Sequence, residues 1–297
     1  MRAKVISFIN MKGGVAKTTT TVGTASAMAG YFGKRVLVID MDPQTNATVM
    51  LIGDNKWAEL NEKDLTLYTA FQEKLFSRSK VPFSLEETLQ RDVGNLDRVK
   101  GLDLLPSSLK LLRIQDQLYE IGKKTDYGVQ PYEVLALAVN PVVPYYDYVF
   151  IDCPPNMGIL TKNALYISDY YIIPAIPDIL STYGFPEVID QIIDFSNEWK
   201  EKELWKAQKK EEIILLGIVA TKVKNSNPLH KRKLEGLEDN ESIQPFHTVF
   251  PENARFAEAA EYRESMTFRQ KWGYQKQADL FLQFSREIME RIERNER

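Results

Sequence analysis

Short apolar runs rich in valine, isoleucine and tyrosine alternate along the chain with longer stretches of mixed polarity. The runs have the character of buried strands, and their alternation with helical stretches is typical of a parallel sheet with crossover helices. Strands are predicted over 4–9, 35–40, 102–105, 147–152, 170–175, 212–220 and 247–250. Helices are predicted over 17–30, 63–76, 107–121, 131–140, 159–167, 183–206, 253–262 and 276–295. The pattern indicates an α/β fold with a mostly parallel central sheet flanked by helices on both faces.

Residues 54–101 are the least patterned part of the chain, with charges of both signs in "DNKWAELNEKD". We expect a solvated helical insertion over the edge of the sheet there. The chain has neither an internal repeat nor a low-complexity linker, so a single domain over 1–297 is predicted. The first predicted strand begins at residue 4, which leaves no room for an N-terminal helix-turn-helix.

The composition narrows the possible chemistry. The 297 residues are 44% hydrophobic and 27% charged, as in ordinary soluble globular proteins. A lone cysteine, Cys153, excludes a disulfide framework, and the two histidines argue against a histidine-based metal centre. The net charge of −3 does not indicate nucleic-acid binding, which would require a local basic patch. Neither a signal peptide nor the roughly 18 apolar residues of a spanning helix is found, so a reducing cytoplasm is expected.

The segment 10–20, "NMKGGVAKTTT", has the outline of a phosphate-binding loop. The pattern G-x-x-x-x-G-K-[ST] is met at Lys17 and Thr18, but Met11 and Ala16 stand where it has glycine. The loop follows a predicted buried strand and opens a predicted helix. At such a junction main-chain N–H groups and the helix dipole converge on an anion. The sequence therefore predicts a P-loop NTPase.

The residues of this loop have separate predicted roles. Gly13 and Gly14 let the main chain approach phosphate oxygens. A glycine pair between a strand and a helix also occurs in simple turns, but the lysines and threonines around it favour the phosphate loop. Lys17 supplies positive charge to the β- and γ-phosphates, and Thr18 offers a hydroxyl to Mg²⁺. The predicted nucleotide-binding set of the loop is Lys12, Gly13, Gly14, Val15, Ala16, Lys17, Thr18 and Thr19.

Three carboxylates follow predicted strands near this loop. Asp40 and Asp42 end "VLVIDMD", two residues apart and so on one side of an extended chain. Asp152 ends the buried strand in "YDYVFID", where a Walker B carboxylate holds the Mg²⁺ shell. Any one of them alone is consistent with a helix cap or a turn. Together, at carboxyl ends of strands beside a phosphate loop, they indicate a metal–phosphate centre.

The sequence resembles the ParA/Soj-type ATPases, the deviant Walker A group of the ParA/MinD superfamily that positions DNA and other cargo in bacteria. The resemblance covers nearly the whole chain and rests on "KGGVAKTT", "DMDPQTNAT", "LDLLPSSLKL", "YDYVFIDCPPNMGILTKNAL", "YYIIPA" and "TVFPENARFAEA". It implies ATP and Mg²⁺ as cofactors and slow, partner-stimulated hydrolysis. It also implies a homodimer that sandwiches ATP and a ParB-like or cargo adaptor protein as partner.

The same resemblance implies individual roles. Lys12, the lysine before the glycine pair, would reach across the dimer to the partner's phosphates and assist catalysis. Asp42 would orient the attacking water, while Asp40 and Asp152 would support Mg²⁺ through waters and Thr18 would bind it. Ala16 replaces the commonest glycine of the family. Because some relatives carry a larger residue there, we expect that the position does not demand a positive φ.

The resemblance also implies that residues in the C-terminal third contact adenine and DNA. Pro251 and Asn253 in "FPENAR" align with the segment that packs against adenine, although Glu252 replaces a common arginine. The dimers of the family bind DNA without sequence preference, and Arg255 aligns with a DNA-contacting arginine. Lys224 is the other predicted contact, in the basic run "TKVKNSNPLHKRK", which aligns loosely and also contains Lys222, Lys231, Arg232 and Lys233. The last three are equally consistent with a solvated face.

Other classes of protein with this fold make different predictions. A MinD-like membrane-associated ATPase ends in a basic amphipathic helix, whereas "LFLQFSREIMERIERNER" alternates arginine with glutamate, which favours packing on the protein's own core. Iron–sulfur carriers require paired cysteines, and the lone Cys153 excludes them. A metabolic ligase stays possible without any substrate-binding pattern to support it. We therefore predict a cytoplasmic, nucleoid-associated partition ATPase, with membrane binding as the alternative.

Overall fold

In the computed structural model of the chain, seven parallel strands of the described residues form the central sheet. They are β1 (Lys4–Phe8), β2 (Val36–Asp40), β3 (Leu102–Leu105), β4 (Tyr148–Asp152), β5 (Tyr170–Ala175), β6 (Ile214–Val223) and β7 (Val249–Pro251). Their order across the sheet is β3-β2-β4-β1-β5-β6-β7. The structure describes residues 2–76, 82–94, 96–97, 99–121, 130–177, 184–203, 212–224, 226–238, 243–263, 266–273 and 276–297.

Helices connect the strands and cover the sheet. In the described residues they are α1 (Lys17–Phe32), α2 (Asn46–Glu62), α3 (Leu67–Phe76), α4 (Leu85–Thr88), α5 (Leu111–Ile121), α6 (Val134–Val139), α7 (Ile159–Ile167), α8 (Gly184–Glu203), α9 (Pro228–Glu238), α10 (Ala254–Glu258), α11 (Phe268–Trp272) and α12 (Lys276–Asn295). Short 3₁₀ turns span Pro131–Glu133 and Val143–Tyr145. The predicted α/β architecture of a P-loop NTPase is confirmed.

The two faces of the sheet carry different hydrophobic clusters. In β4, Val149 and Ile151 belong to one cluster and Tyr148 and Phe150 to the other, because successive side chains of a strand point to opposite faces. The first cluster includes apolar residues of α7 and α8, and the second includes those of α1 and α12. Both faces are therefore buried under helices, which explains why the strands read as nearly continuous apolar runs.

The helix predictions were less accurate than those of the strands. Each predicted strand is observed with small shifts at its ends, but α9, α11 and the start of α2 were not predicted. Helix α11 is only five residues long, and α9 has few apolar residues and a glycine, so neither has a clear helical period. The helix predicted over 253–262 is limited to Ala254–Glu258. Positions 183 and 204–206 of the helix predicted over 183–206 lie outside the described residues.

The prediction of a solvated segment over 54–101 is wrong in one respect. The segment does contain helices and lies at the sheet edge, where Gln90 forms an antiparallel bridge with Leu104 of β3. However, Leu67 and Phe71 of α3 are fully buried in the core. The mixed charges of this segment occupy the exposed sides of helices whose other sides pack inward, an arrangement that short helices obscure in a sequence.

The carboxyl ends of β1, β2 and β4 meet at one edge of the sheet. Asp152 at the end of β4 is paired in register with Phe8 of β1 and with Asp40 of β2. Because β1 leads into the loop before α1, the topology brings this loop and both carboxylates to one place.

Candidate nucleotide-binding site

The loop over 9–16 between β1 and α1 is fixed by side chains from neighbouring strands. Asn10 accepts a hydrogen bond from the Lys12 amide at its Oδ1 (2.9 Å) and donates from Nδ2 to the Pro174 carbonyl (2.9 Å). Thr221 of β6 donates its hydroxyl to the Val15 carbonyl (2.9 Å). The loop is therefore held in shape by β5 and β6.

The main chain of this loop turns through two left-handed residues. Gly14 has φ of 75°, and a Cβ at Gly13 or Gly14 would meet no atom within 4 Å, so the space in front of them is open. Ala16 has φ of 63° and ψ of 28°, also left-handed. The expectation that position 16 does not demand a positive φ is therefore wrong. For a residue with a Cβ this conformation costs about 1–2 kcal/mol, which explains why glycine is common there.

Lys17 is a buried cation at the start of α1. Its side chain is only 7% exposed, and Nζ donates to the Lys12 carbonyl (3.1 Å). Burial lowers the pKa of Lys17, while Asp152 and Asp42 act in the opposite direction and favour its charged form. Lys12 itself is exposed. The two lysines of the loop thus have different environments, one inside the site and one on the surface.

Thr18 and Asp152 form a hydroxyl–carboxylate pair at the site. The Thr18 hydroxyl donates to Oδ2 of Asp152 (2.6 Å), while the buried Oδ1 has no hydrogen-bond partner in the described part of the chain. Burial raises the pKa of Asp152 to about 7, and the Thr18 hydrogen bond opposes this shift. A buried carboxylate oxygen without a partner is costly, so it points to a group that binds there. A hydroxyl beside a carboxylate fits the oxygen chemistry of Mg²⁺.

Asp40 is buried beside Asp152 but has a different set of contacts. Its Oδ2 accepts from the amide (2.8 Å) and the hydroxyl (2.6 Å) of Thr48, and its Oδ1 accepts from the Asp42 amide (3.1 Å). Burial and the nearby Asp152 raise the pKa of Asp40 well above its usual range. Oδ2 therefore holds the start of α2, and Oδ1 holds the turn at Asp42. The predicted role of Asp40 in a magnesium shell stays a prediction.

Asp42 faces the phosphate loop from the end of β2. It is 8% exposed, and its Oδ1 accepts from the Gln44 amide (2.9 Å). Burial raises the pKa of Asp42, and the Gln44 amide and the Lys17 charge lower it. Among the described residues, no group of three or more His, Cys, Asp or Glu side chains is arranged to hold a metal ion. A metal here would need oxygen ligands from a nucleotide and water as well.

A cavity of about 700 Å³ is lined by Lys17, Thr18 and Asp42, among others. Its walls bring together the phosphate loop, Asp42 and the predicted adenine segment with Pro251 and Asn253. The size is that of a small-molecule site. Sequence reasoning missed several residues of its wall, namely Gln44, Asn46, Val49, Met50, Pro155, Phe250, Phe256 and Ala257. Gln44 and Asn46 lie in the quoted motif "DMDPQTNAT" and could have been found; the others come together only through the fold.

Known proteins resemble the chain over most of its length. A family model described as an AAA domain matches residues 3–205. The sporulation initiation inhibitor protein Soj of Bacillus subtilis (strain 168) is 28% identical over 253 residues, 85% of each chain. The chromosome partitioning protein ParA of Caulobacter vibrioides (strain NA1000 / CB15N) is 26% identical over 253 residues, 85% of this chain and 82% of that protein. The chain belongs to this AAA-domain family, within the ParA/MinD superfamily of P-loop ATPases.

Two further comparisons bear on the whole protein. Two uncharacterized proteins of Mycobacterium tuberculosis are 37% identical over 191 residues, and the aligned part spans 52% of their length, so the chain matches about half of these relatives. A crystal structure of cobyrinic acid a,c-diamide synthase from Mycobacterium smegmatis, with bound ATP analogue and magnesium, has a TM-score of 0.70 at 22% identity and covers 98% of this chain and 96% of its own. At that identity the likeness shows the fold.

Both predicted DNA-contacting cations of this superfamily member are engaged with glutamates. Lys224 Nζ lies 3.2 Å from Oε2 of Glu252. Arg255 donates to Glu258 Oε2 (2.8 Å) and to the Gln270 carbonyl (2.9 Å). Of the other cations in the basic run, Lys222 lines the nucleotide cavity, and the side chains of Lys231 and Lys233 lie outside the described residues.

Helix α12 packs on the core, as its sequence indicated. Phe281, Phe284, Ile288 and Ile292 of α12 are all buried, in the cluster shared with α1. This apolar face is therefore covered by protein. Within the described residues, no helix has both the length and the apolar character that crossing a bilayer requires.

Proposed function

We propose that the chain is a Mg²⁺-dependent ATP hydrolase that dimerises on ATP, binds DNA without sequence preference and partitions DNA or other cargo with a ParB-like partner. The observation that carries the ATPase part is the buried Lys17 at the wall of an open cavity, near Asp152, whose Oδ1 has no hydrogen-bond partner in the described part of the chain. The partition part is supported by the similarity to the Caulobacter ParA protein.

ATP and Mg²⁺ fit the residues of the cavity. Gly13 and Gly14 leave open space for phosphate oxygens, and Lys17 supplies a cation whose charged form two carboxylates support. Thr18 would bind Mg²⁺, and Asp152 would support it through water. The metal would supply charge neutralisation on the phosphates. The cobyrinic acid a,c-diamide synthase of the same fold, crystallised with an ATP analogue and magnesium, supports this choice of ligands.

Lys12 and Lys17 neutralise the phosphates of two different nucleotides in this proposal. The Lys12 carbonyl holds Lys17 within its own subunit, while the Lys12 side chain is exposed and can extend away from the loop. A second subunit placed over this surface would receive that charge on its nucleotide. ATP would then be fully neutralised only in the dimer, which couples nucleotide binding to dimerisation.

Asp42 carries the hydrolytic step in this proposal. Its carboxylate lines the cavity beside Lys17, where it can accept a hydrogen bond from a water aimed at the terminal phosphate. Replacing Asp42 by Ala removes this acceptor and leaves the phosphate loop intact. The variant should therefore accumulate as an ATP-bound dimer in size-exclusion chromatography with ATP and Mg²⁺. A variant that stays monomeric, or hydrolyses ATP at the wild-type rate, would refute this role.

Lys12→Ala gives the complementary test of the dimer. The variant should bind ATP as a monomer with little loss of affinity, because Lys17 still neutralises the phosphates of its own subunit. It should fail to dimerise, and the Lys12→Ala/Asp42→Ala double variant should fail as well. ATP-dependent dimers of the double variant would show that Lys12 does not act across an interface.

The proposed DNA surface comprises Arg255 and Lys224. Their glutamate partners are more than half exposed, so DNA phosphates can compete for both cations. Arg255→Glu and Lys224→Glu should weaken binding to all duplex sequences, and loss of one phosphate contact should lower the salt slope by about one unit.

Matched variants sharpen the DNA test. Glu252→Gln and Glu258→Gln keep the size of each side chain and free the cation, so they should strengthen duplex binding. Salt titrations with ATP and with ADP compare all four variants with the wild type. Liposome sedimentation of the same samples tests the MinD-like alternative. Vesicle binding without ATP-dependent DNA affinity would favour that alternative over DNA partition.

A further inference from the structure

We propose that Ser107 is a positioning residue for Asp42, which it holds through the main chain from the edge of the sheet. Ser107 lies just beyond β3 and is fully buried, and no role in nucleotide chemistry follows from its sequence context. The inference rests on the proposed hydrolytic role of Asp42 and adds the residue that sets the location of its carboxylate.

The contact is direct and short. The Ser107 hydroxyl donates to the Asp42 carbonyl at 2.7 Å, and both residues are buried. The same carbonyl accepts from the Thr45 amide (2.9 Å), and the Asp42 amide donates to Asp40 (3.1 Å). The peptide groups on both sides of Asp42 are thus fixed, so its carboxylate is presented to the cavity from a rigid main chain.

Ser107 can act as a fixed point because each of its polar groups is engaged. Its amide donates to the Thr48 hydroxyl (2.9 Å), which in turn donates to Asp40 (2.6 Å). Its carbonyl accepts from Nε1 of Trp57 in the second half of α2 (3.3 Å). The segment after β3 therefore connects the Asp42 turn with both halves of α2. A buried network in which every group is satisfied is rigid.

Rigidity at this point matters because hydrolysis depends on the position of one water. A misplacement of the order of 1 Å at a catalytic group can cost roughly 100-fold in rate. Nucleotide binding depends instead on the loop over 9–16. Within the described residues, Ser107 forms its hydrogen bonds with Asp42, Thr48 and Trp57 and not with that loop. Removal of the hydroxyl should therefore affect the rate and not the affinity.

The test compares Ser107→Ala with Ser108→Ala. Ser108 is a neighbouring, fully buried serine whose hydroxyl donates to Asn61 (2.6 Å) and not to the Asp42 turn. Each variant loses one buried hydroxyl, so both should lose similar stability in denaturant unfolding. Single-turnover hydrolysis should fall about 10-fold to 100-fold in Ser107→Ala. It should stay within about twofold of the wild type in Ser108→Ala, with ATP affinity unchanged in both.

Two more variants separate this inference from the proposed function. If Asp42→Ala hydrolyses ATP normally, the hydrolytic role of Asp42 fails and the inference loses its basis. If Asp42→Ala is inactive and Ser107→Ala is normal, only the positioning role is refuted. When both hold, Ser107→Ala should not slow the Asp42→Ala variant further, because the two residues act in one step. An equal rate loss in Ser108→Ala and Ser107→Ala would also overturn the proposal.

Discussion

Two buried lysines, in different regions of the molecule, have similar immediate contacts and different surroundings. Lys17 of the phosphate loop is 7% exposed and donates to the Lys12 carbonyl (3.1 Å). Lys271 of α11 is 5% exposed and donates to the Met50 carbonyl (2.9 Å). Lys17, however, has carboxylates nearby that favour its charged form, whereas burial alone acts on Lys271 and lowers its pKa to about 8.

The comparison shows that burial of a charge does not by itself indicate function. Helix α2 is broken at Gly53, so the Met50 carbonyl lies near the end of a helical segment. Lys271 donates to this carbonyl and therefore has a structural role. Lys17 lies at the wall of an open cavity beside a carboxylate oxygen that has no partner within the described residues. What distinguishes Lys17 from Lys271 is the open cavity and the unpartnered carboxylate oxygen near it.

The largest expected effect is the loss of ATP affinity when the charge of Lys17 is removed. Lys17→Met should lower ATP affinity by about 30-fold to several thousand-fold, because the phosphates lose a buried cation worth roughly 2–5 kcal/mol. Lys271→Met, the matched change in the other region, should leave ATP affinity within about twofold. Isothermal titration calorimetry with ATP and Mg²⁺ measures both. Equal losses in the two variants would remove the distinction between the lysines.

A second prediction concerns Arg291 of α12, another partly buried cation of the C-terminal region. Its guanidinium donates to the carbonyls of Leu216, Gln244 and Pro245, each at 2.6 Å. Arg291→Ala leaves these carbonyls without their donor and should destabilise the protein by about 3 kcal/mol in urea unfolding. ATP affinity of the folded protein should not change. A stable variant with weakened ATP binding would contradict the structural role.

The third prediction uses the pH dependence of stability. The pKa of Lys271 is lowered from 10.5 when unfolded to about 8 when folded. Between these values the unfolded state binds more protons, so stability should rise with pH; below about pH 8 the full cost of burying the charge applies. Relative to Lys271→Met, the wild type should gain up to about 3 kcal/mol from pH 8 to 10.5. A pH-independent difference between the two proteins would contradict the shift.

The smallest expected effect is at Ala16. Replacing Ala16 by Gly relieves the left-handed conformation at φ of 63° but increases the freedom of the unfolded chain. The net gain in stability should be about 1 kcal/mol, measured by thermal unfolding without nucleotide. Gly13→Ala is a useful contrast, since its Cβ would enter the open space where phosphate is proposed to bind. It should weaken ATP binding and leave stability nearly unchanged.

The sequence was sufficient for the parts of the structure that depend on local chemistry. The strands were predictable because both faces of the sheet are buried, which makes each strand a continuous apolar run. Lys17, Thr18 and Asp152 were predicted as neighbours because parallel strands end at the same edge, and the hydrogen bond between Thr18 and Asp152 agrees with this. Asp42 was likewise predicted, and it lies at the wall of the same cavity.

Other features depend on packing between distant segments. The left-handed Ala16 follows from the course of the loop, which the Thr221 hydroxyl fixes from another strand. The saturation of Asp40 by Thr48 depends on where α2 begins, and that start was not predicted. The ion pair of Arg255 with Glu258 has the i,i+3 spacing of a helix and could have been anticipated from α10.

The most direct test of the central claim is the Mg²⁺ dependence of ATP affinity in the wild type and in Asp152→Asn. Calorimetric titrations with ATP, in Mg²⁺ and in EDTA, give the two affinities for each protein. We expect Mg²⁺ to tighten binding in the wild type by at least about 10-fold and to have little effect in Asp152→Asn, which loses the carboxylate charge beside Thr18. Wild-type protein that does not bind ATP, or an Asp152→Asn variant with the full Mg²⁺ effect, would contradict the account.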